Sequence, residues 1–196
     1  MSTLSVELTH LFISPGHNYY GRHGIGSEDH EILDREEIEC VAGRGLLDDR
    51  FFDYKEDYKG QITLFDYATY ERVMSEFALP DLQPGAVRRN VVVKGADLNE
   101  LIGKDFTLGV VELSGSEEAK PCYWMDEACA PGVEKFLRGF GGLRCRIKTG
   151  GSYHVKNTIR NDFSGCLWQS FERLERNTIR ACSRVIRSTN GFSHVL

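Results

Sequence analysis

The chain has 196 residues, a formal net charge of −5, and 41% hydrophobic and 27% charged residues. This length predicts one globular domain, on the usual scale of about 150 residues each, and the acidic balance excludes a generally basic nucleic-acid-binding protein. No apolar run approaches the ~20 residues of a membrane span, and the first residues lack the basic and apolar segments of a secretory signal. We therefore expect a cytoplasmic protein with no membrane span and no nucleic-acid partner.

Short apolar runs interrupted by many of the 20 glycines predict strands and turns rather than long helices. Gly109 lies inside one of these runs, where we expect a bend or bulge. The predicted strands are residues 6–13, 37–42, 61–65, 91–93, 106–113, 143–148 and 153–159.

Helices are predicted to be few and short. Asp66 is placed to cap a helix whose apolar residues recur at helical spacing up to Phe77, before Pro80. Residues 97–103 predict one or two turns, and Pro131 opens a short helix that runs to Arg138. Short strands with scattered short helices indicate a mainly β (α+β) fold, a closed or half-closed β-barrel.

The end of the chain differs in charge from the rest. Residues 152–196 carry a net charge of +4, whereas residues 1–151 carry −9. We expect residues 161–196 to form a basic amphipathic C-terminal helix, capped by Ser164, that packs on a barrel domain of residues 1–160. Contact with an acidic partner or a membrane surface is the alternative for this helix.

The cysteines contain one candidate reactive thiol. The six cysteines include no CxxC pair and none at zinc-finger spacing from a histidine, which argues against a structural zinc site. Cys122 follows Lys120 and Pro121, in a predicted loop beyond the polar stretch 114–120. A thiolate is a nucleophile, a sulfur acceptor and a soft-metal ligand, and Lys120 is the local charge that would favour it. The alternative is a buried structural cysteine.

Basic residues suggest anion binding at two places. Arg88 and Arg89 precede Asn90 and a predicted strand, and guanidinium groups bind phosphate or carboxylate oxygens in pairs. Because successive strand residues point to opposite faces, we expect only one of the two to reach a given site. Residues 43–50 predict either an anion-binding loop or a surface turn with a salt bridge.

Three histidines, His17, His23 and His30, lie in a segment rich in glycine and tyrosine. Three imidazoles could bind a metal or move protons, but spacings of 6 and 7 residues are unspecific. Their roles stay open at this point.

An ordered series of short motifs runs through residues 82–151. The motifs are Arg88-Arg89-Asn90-Val91, Gly95-Ala96-Asp97-Leu98, Leu101-Ile102-Gly103, Phe106-Thr107-Leu108-Gly109, Pro121-Cys122, Gly141-Gly142-Leu143-Arg144 and Gly150-Gly151. In this order they resemble the MOSC family, named for the C-terminal domain of molybdenum-cofactor sulfurases. An upstream turn at Asp49 and Arg50 is similar to the Gly-Asp-Arg turn of the family, with Asp48 where glycine is expected. Lys156 and Asn157 also depart from the family pattern.

The resemblance implies a β-barrel and a link to sulfur and molybdenum chemistry. It implies that Cys122 is the catalytic residue, either as ligand of the molybdenum in a molybdopterin cofactor or as a persulfide carrier. Pyridoxal phosphate would be involved only through a partner protein. The cofactor-binding residues that we assign on this basis are Arg89, Asn90, Arg50, Lys59, Asp49 and Arg144.

Two functions follow from the resemblance. One is reduction of N-hydroxylated compounds, with electrons from a separate redox partner. The other is a non-catalytic carrier of sulfur or molybdenum cofactor that serves a partner enzyme and receives sulfur from a sulfurtransferase. A barrel that binds another anionic small molecule, with Cys122 buried, is the third interpretation.

Overall fold

The computed structural model describes residues 4–22, 24–155 and 158–161. In this part of the chain the fold is mainly β, as predicted, with three short α-helices: α1 Tyr67–Glu76, α2 Trp124–Ala128 and α3 Val133–Phe136. The strands are β1 Leu4–Ile13, β2 Leu33–Asp34, β3 Glu37–Val41, β4 Gly45–Leu46, β5 Ile62–Asp66, β6 Val91–Lys94, β7 Asp105–Leu108, β8 Val111–Glu118, β9 Leu143–Ile147, β10 Gly151–His154 and β11 Thr158–Asn161.

The strands form one large mixed sheet and one small sheet. The large sheet has the order β11-β1-β6-β5-β9-β8-β7, with β2 paired to β1 at the side. Its pair β5–β6 is parallel, and the other described pairs are antiparallel. The small sheet has the order β10-β3-β4.

The sheets do not close into a barrel, so the predicted barrel is wrong in this respect. The path of the large sheet ends at β7 and β11, and no ladder of hydrogen bonds between these two strands joins its ends among the described residues. One apolar core is nevertheless built from both sheets, because residues such as Ile38 and Cys40 of β3 join the inward residues of β1, β5, β6, β8 and β9. The outward residues Glu37 and Glu39 are exposed, which is the alternation expected of a strand with one solvated face.

A second apolar cluster joins the helices to the large sheet. It contains Phe65 of β5, Tyr70 and Val73 of α1, Met125 of α2 and Val133 of α3. Asp66 caps α1 as predicted, accepting hydrogen bonds from the amides of Ala68 and Thr69 at 3.3 and 2.9 Å. This cluster holds α2, and therefore the segment of Cys122 just before it, against β5.

Two predicted strands are each two strands in the structure. Residues 106–113 turn at Gly109, whose φ of +62° suits a tight reversal, so that β7 and β8 form a hairpin. Residues 153–159 divide between β10, which pairs with β3, and β11, which pairs with β1. The polar residues 114–118, predicted to follow the strand, belong to β8. Along this strand the buried residues Val111, Leu113 and Gly115 alternate with half-buried polar residues.

The other elements match the sequence only in part. Helix α2 was not predicted, α3 is shorter than the predicted helix at 131–138, and residues 99–101 form a single 3₁₀ turn. The predicted C-terminal helix lies outside the described residues from position 162 onward. Among the helices that the structure describes, none is long and apolar enough to cross a membrane.

Candidate functional site

A cavity of about 400 Å³ collects most of the predicted site residues, and we call it the arginine cavity. Five arginine side chains line it, those of Arg22, Arg50, Arg88, Arg89 and Arg144, together with Cys122. Its aromatic lining residues are His17, Tyr19, Tyr20, Phe51, Tyr58, Tyr123 and Trp124. The cavity therefore combines positive charge, a thiol and flat aromatic surfaces.

The turn before β5 brings Arg50 to the cavity. Asp48 adopts the left-handed region with φ +64°, a conformation that aspartate tolerates better than most residues, so the turn forms without the expected glycine. The buried Asp49 carboxylate accepts hydrogen bonds from the amides of Ser14 and Phe51, both at 3.1 Å. It also pairs with Arg50 at 3.3 Å, and burial lowers the pKa of Arg50. Asp49 thus orients the turn and does not line the cavity.

Both Arg88 and Arg89 line the cavity, so our prediction that only one of them reaches it is wrong. The alternation of strand side chains does not apply, because Arg88 has φ +52° and ψ +42° and β6 begins only at Val91. Residues 84–87 form a 3₁₀ turn that ends at Arg88. The left-handed backbone at its end redirects the chain between the two arginines.

The Arg88 side chain is buried and incompletely partnered. Its Nη2 donates hydrogen bonds to Ser14 Oγ at 3.1 Å and to the Gly16 carbonyl at 3.0 Å. Its Nη1 is buried and finds no acceptor among the described residues. Burial, and then the neighbouring Arg50, lower the pKa of Arg88 to about 10, so it remains a cation at neutral pH. A buried donor of this kind calls for an anion or a water molecule.

The Arg89 guanidinium is engaged with the backbone. It donates hydrogen bonds to three carbonyls, those of Val87 at 2.9 Å, Ala119 at 2.6 Å and Gly141 at 2.8 Å. Burial, and then Arg144, lower the pKa of Arg89 to about 10.

At the rim, Glu117 holds two of the predicted cofactor-binding residues. Its carboxylate accepts from Lys59 at 2.5 Å and pairs with Arg144 at 3.5 Å. These pairs lower the pKa of Glu117, the hydrogen bond from Lys59 most. Arg144 lines the cavity, whereas Lys59 does not.

Asn90 lies behind the cavity wall. Its Oδ1 accepts hydrogen bonds from the amide and hydroxyl of Thr63 at 3.0 and 2.7 Å. Its Nδ2 donates to the Phe12 carbonyl at 3.2 Å and to Asp49 at 3.3 Å. The buried amide therefore joins β1, β5 and the Asp49 turn, and it positions the wall on which the arginines lie.

Cys122 is an exposed free thiol at the cavity, in contrast to the interpretation as a buried structural cysteine. Cys40 and Cys145 are buried in the core, and burial raises the pKa of Cys40 to about 12. Burial also raises the pKa of Cys129, to about 11. Of the cysteines that the structure describes, Cys122 alone is exposed and lines the cavity.

Aromatic rings form the wall beside Cys122. Its carbonyl accepts the amide of Met125 at 2.8 Å in the first turn of α2, which presents Trp124. The rings of Tyr19 and Trp124 stack with centroids 4.5 Å apart, and Arg88 lies 5.5 Å from the centre of the Tyr19 ring. The sequence carried no periodic signal for this wall, since α2 has only five residues.

The structure describes two of the three histidines, His17 and His30. His17 lines the cavity, with its ring 4.8 Å from that of Phe51, and burial followed by Arg50 lowers its pKa. His30 is engaged by Glu28 at 2.9 Å, and His23 lies outside the described residues. Within the described ranges, no group of three or more His, Cys, Asp or Glu side chains is arranged to hold a metal ion.

Comparisons with known proteins agree with this fold. The YuaD protein from Bacillus subtilis has a TM-score of 0.63 at 15% identity, over 79% of this chain and 94% of its own. YiiM from Geobacillus stearothermophilus has a TM-score of 0.58 at 12% identity, over 96% of this chain and 93% of its own. YiiM from Escherichia coli has a TM-score of 0.51 at 16% identity, over 72% of this chain and 65% of its own. At such low sequence identities, these structural matches show similarity of fold alone.

No curated protein matches the sequence significantly. The family model of the MOSC domain matches residues 50–160, which is more than half of the chain. The matched part contains Cys122 and all of the cavity's arginines except Arg22. The chain therefore belongs to the MOSC domain family, which is associated with the molybdenum cofactor and its sulfur chemistry.

Proposed function

We propose that the arginine cavity binds a molybdenum cofactor of the molybdopterin type and that Cys122 is the ligand of its metal. The observation that carries this proposal is the meeting of one exposed thiol with five arginine side chains in a single cavity. A soft thiolate suits molybdenum, and guanidinium groups suit the phosphate of the pterin.

The residues present fit such a group in size and charge. A volume of about 400 Å³ lies in the usual range of small-molecule sites. Glu28 compensates Arg22, Asp49 compensates Arg50, and Glu117 compensates Arg144. Neither Arg88 nor Arg89 is paired with a carboxylate among the described residues. The excess positive charge and the unpartnered Nη1 of Arg88 favour an anionic ligand.

Each part of the cavity then has a distinct role. Arg50 and Arg88 would bind the phosphate, and the aromatic residues that line the cavity would contact the pterin. Cys122 would bind the metal from the segment before α2. The bound cofactor would supply two-electron redox chemistry, which suits reduction of N-hydroxylated compounds with electrons from a separate redox partner.

The exposure of Cys122 also suits a second function, that of a sulfur carrier. The Cys122 thiolate would attack the outer sulfur of a persulfide on a partner protein, and the S–S bond of that persulfide would break as the partner leaves as a thiolate. The cavity would hold the new persulfide until a second partner's thiolate accepts its outer sulfur in the same way. Pyridoxal phosphate would then belong to the sulfur donor, and this chain would catalyse no reduction.

The test is the molybdenum and pterin content of protein purified from a host that makes the cofactor. We expect near-stoichiometric molybdenum in the wild type, its loss in Cys122→Ala, and its retention in Cys129→Ala, because Cys129 does not line the cavity. Absence of molybdenum from the wild type would contradict cofactor binding. Mass spectrometry for a persulfide on Cys122 would then test the carrier function.

Turnover distinguishes the enzyme from a cofactor carrier. The reductase should convert N-hydroxylated bases in the presence of an artificial electron donor, and Cys122→Ala should abolish this conversion. Stoichiometric cofactor without turnover would support the carrier instead.

A further inference from the structure

Arg88 and Arg89 are adjacent in the chain but make different kinds of contact. We infer that Arg89 is a positioning residue that fixes the Cys122 segment to the cavity wall, and that its neighbour Arg88 is the one that binds the anion. The inference deepens the proposed function, on which it rests for the importance of Cys122.

The contacts of Arg89 join three separate parts of the chain. Its three hydrogen bonds go to Val87 in the turn before β6, to Ala119 directly after β8, and to Gly141 shortly before β9. Each of its three nitrogens donates one of these bonds, so three of its five N–H groups are committed to backbone carbonyls. Ala119 lies three residues before Cys122. Because this segment is short, fixing the Ala119 carbonyl restricts where the Cys122 thiol can lie.

The segments that Arg89 joins are also packed against each other. The amide of Ala119 donates to the Gly142 carbonyl at 2.8 Å, and Glu118 accepts the amides of Gly139 and Gly141 at 2.8 and 3.2 Å. A Cβ on Gly141 would lie 2.5 Å from the Ala119 carbonyl oxygen and 2.8 Å from Pro121 Cδ. Arg89 therefore lies where the backbone at Gly141 approaches the backbone at Ala119 too closely for a side chain at position 141.

Arg88 has the opposite character. One of its nitrogens bonds to Ser14 and Gly16, while Nη1 is buried without an acceptor among the described residues. An anion would accept a hydrogen bond from this donor. In Arg89, by contrast, three of the five N–H groups already donate to backbone carbonyls. Lysine keeps the charge of arginine but not its planar set of donors, so Arg→Lys variants separate charge from geometry.

Hydrogen exchange tests the role of Arg89. In Arg89→Lys, we expect exchange of the Ala119, Gly139 and Gly141 amides to rise by about tenfold or more, while amides of β1 and β6 keep their protection. Arg89→Met should behave the same, because the charge alone does not hold the carbonyls. Arg88→Lys is the matched control and should leave these three amides unchanged. Unchanged exchange of these amides in Arg89→Lys would overturn the inference. This includes the case in which exchange rises in Arg89→Met alone, because a positive charge at position 89 would then be sufficient.

Sulfate binding separates this inference from the proposed function. Sulfate is a dianion across neutral pH, and its affinity should fall by about tenfold in Arg88→Lys and stay within about twofold in Arg89→Lys. An equal loss in both variants would overturn the division between the two arginines. Failure of the wild type to bind sulfate would contradict the proposed anion site, while the exchange result would still decide the role of Arg89.

A wild-type measurement covers the case in which a variant does not fold. Arginine side-chain NMR signals followed through a sulfate titration should shift for Arg88. The N–H signals of Arg89 should be slow to exchange and should not move. Shifts of Arg89 as large as those of Arg88 would overturn the inference without any substitution.

Discussion

The hydroxyl of Tyr153 is buried in the apolar core without a hydrogen-bond partner among the described residues. The residue lies in β10 with only 1% of its surface exposed, and burial raises its pKa well above the usual range. Electrostatic repulsion from the thiolates of the nearby Cys40 and Cys145 would raise the pKa of Tyr153 further. Replacing this tyrosine by phenylalanine removes a hydroxyl whose loss of hydration is not compensated by any hydrogen bond among the described residues.

The expected gain is larger than the cost of the substitution. A buried hydroxyl without a partner costs roughly 1–3 kcal/mol of folding free energy. The small void left by removal of one oxygen costs only a few tenths of this amount. We therefore expect Tyr153→Phe to raise the free energy of unfolding by about 1 kcal/mol. For a chain of this size, that change raises Tm by about 2–4 °C.

Urea unfolding of the wild type and two variants measures this effect. Tyr70→Phe is the matched control, because the Tyr70 hydroxyl donates to the Leu82 carbonyl at 2.6 Å. Its loss should lower the free energy of unfolding by about 1 kcal/mol. The reasoning is refuted if Tyr153→Phe destabilises the protein as much as Tyr70→Phe, since the Tyr153 hydroxyl would then be satisfied in solution.

Three further predictions concern the cavity and its supports. Gly141→Ala should cost roughly 1–3 kcal/mol, because its Cβ would lie 2.5 Å from a backbone oxygen; unchanged thermal stability would contradict this. Asn90→Ala should cost roughly 2–4 kcal/mol in chemical denaturation, because it removes the hydrogen bonds that the side-chain amide makes with Thr63, Phe12 and Asp49; a loss within experimental error would show that water replaces the amide. Burial and Arg50 hold the pKa of His17 below 6.5, so the unfolded chain binds the proton more tightly and stability falls as the pH is lowered through the range below 6.5. His17→Gln should reduce that fall in denaturation measured at several pH values, and an identical pH profile would show that His17 does not contribute.

Local patterns were sufficient where each strand has its own signal. The β-branched run at 91–93 became β6, and the alternation at 143–148 became β9. Asp66 capped α1 where expected, because an N-cap depends on contacts within one turn. The hairpin at Gly109 and the division of 153–159 were missed, because apolar periodicity does not show where the chain reverses or which sheet a strand joins.

The site was predicted in part for a similar reason. Motif order identified Cys122 and the arginines, and the structure places Cys122, Arg50, Arg89 and Arg144 in one cavity. It places Asp49, Asn90 and Lys59 outside the lining. No local pattern distinguishes an asparagine that binds a ligand from one whose amide is saturated by Thr63, Phe12 and Asp49.

The sequence by itself determined the mainly β class, the capped helix α1 and the family to which the chain belongs. Each of these depends on residue types and their order and spacing along the chain. Only the tertiary structure decided that the large sheet remains open, and that Arg88 enters the cavity beside Arg89. It also decided that the guanidinium of Arg89 is committed to backbone carbonyls up to 52 residues away. These features depend on contacts between distant segments, which form only when burial of the shared core brings the strands together.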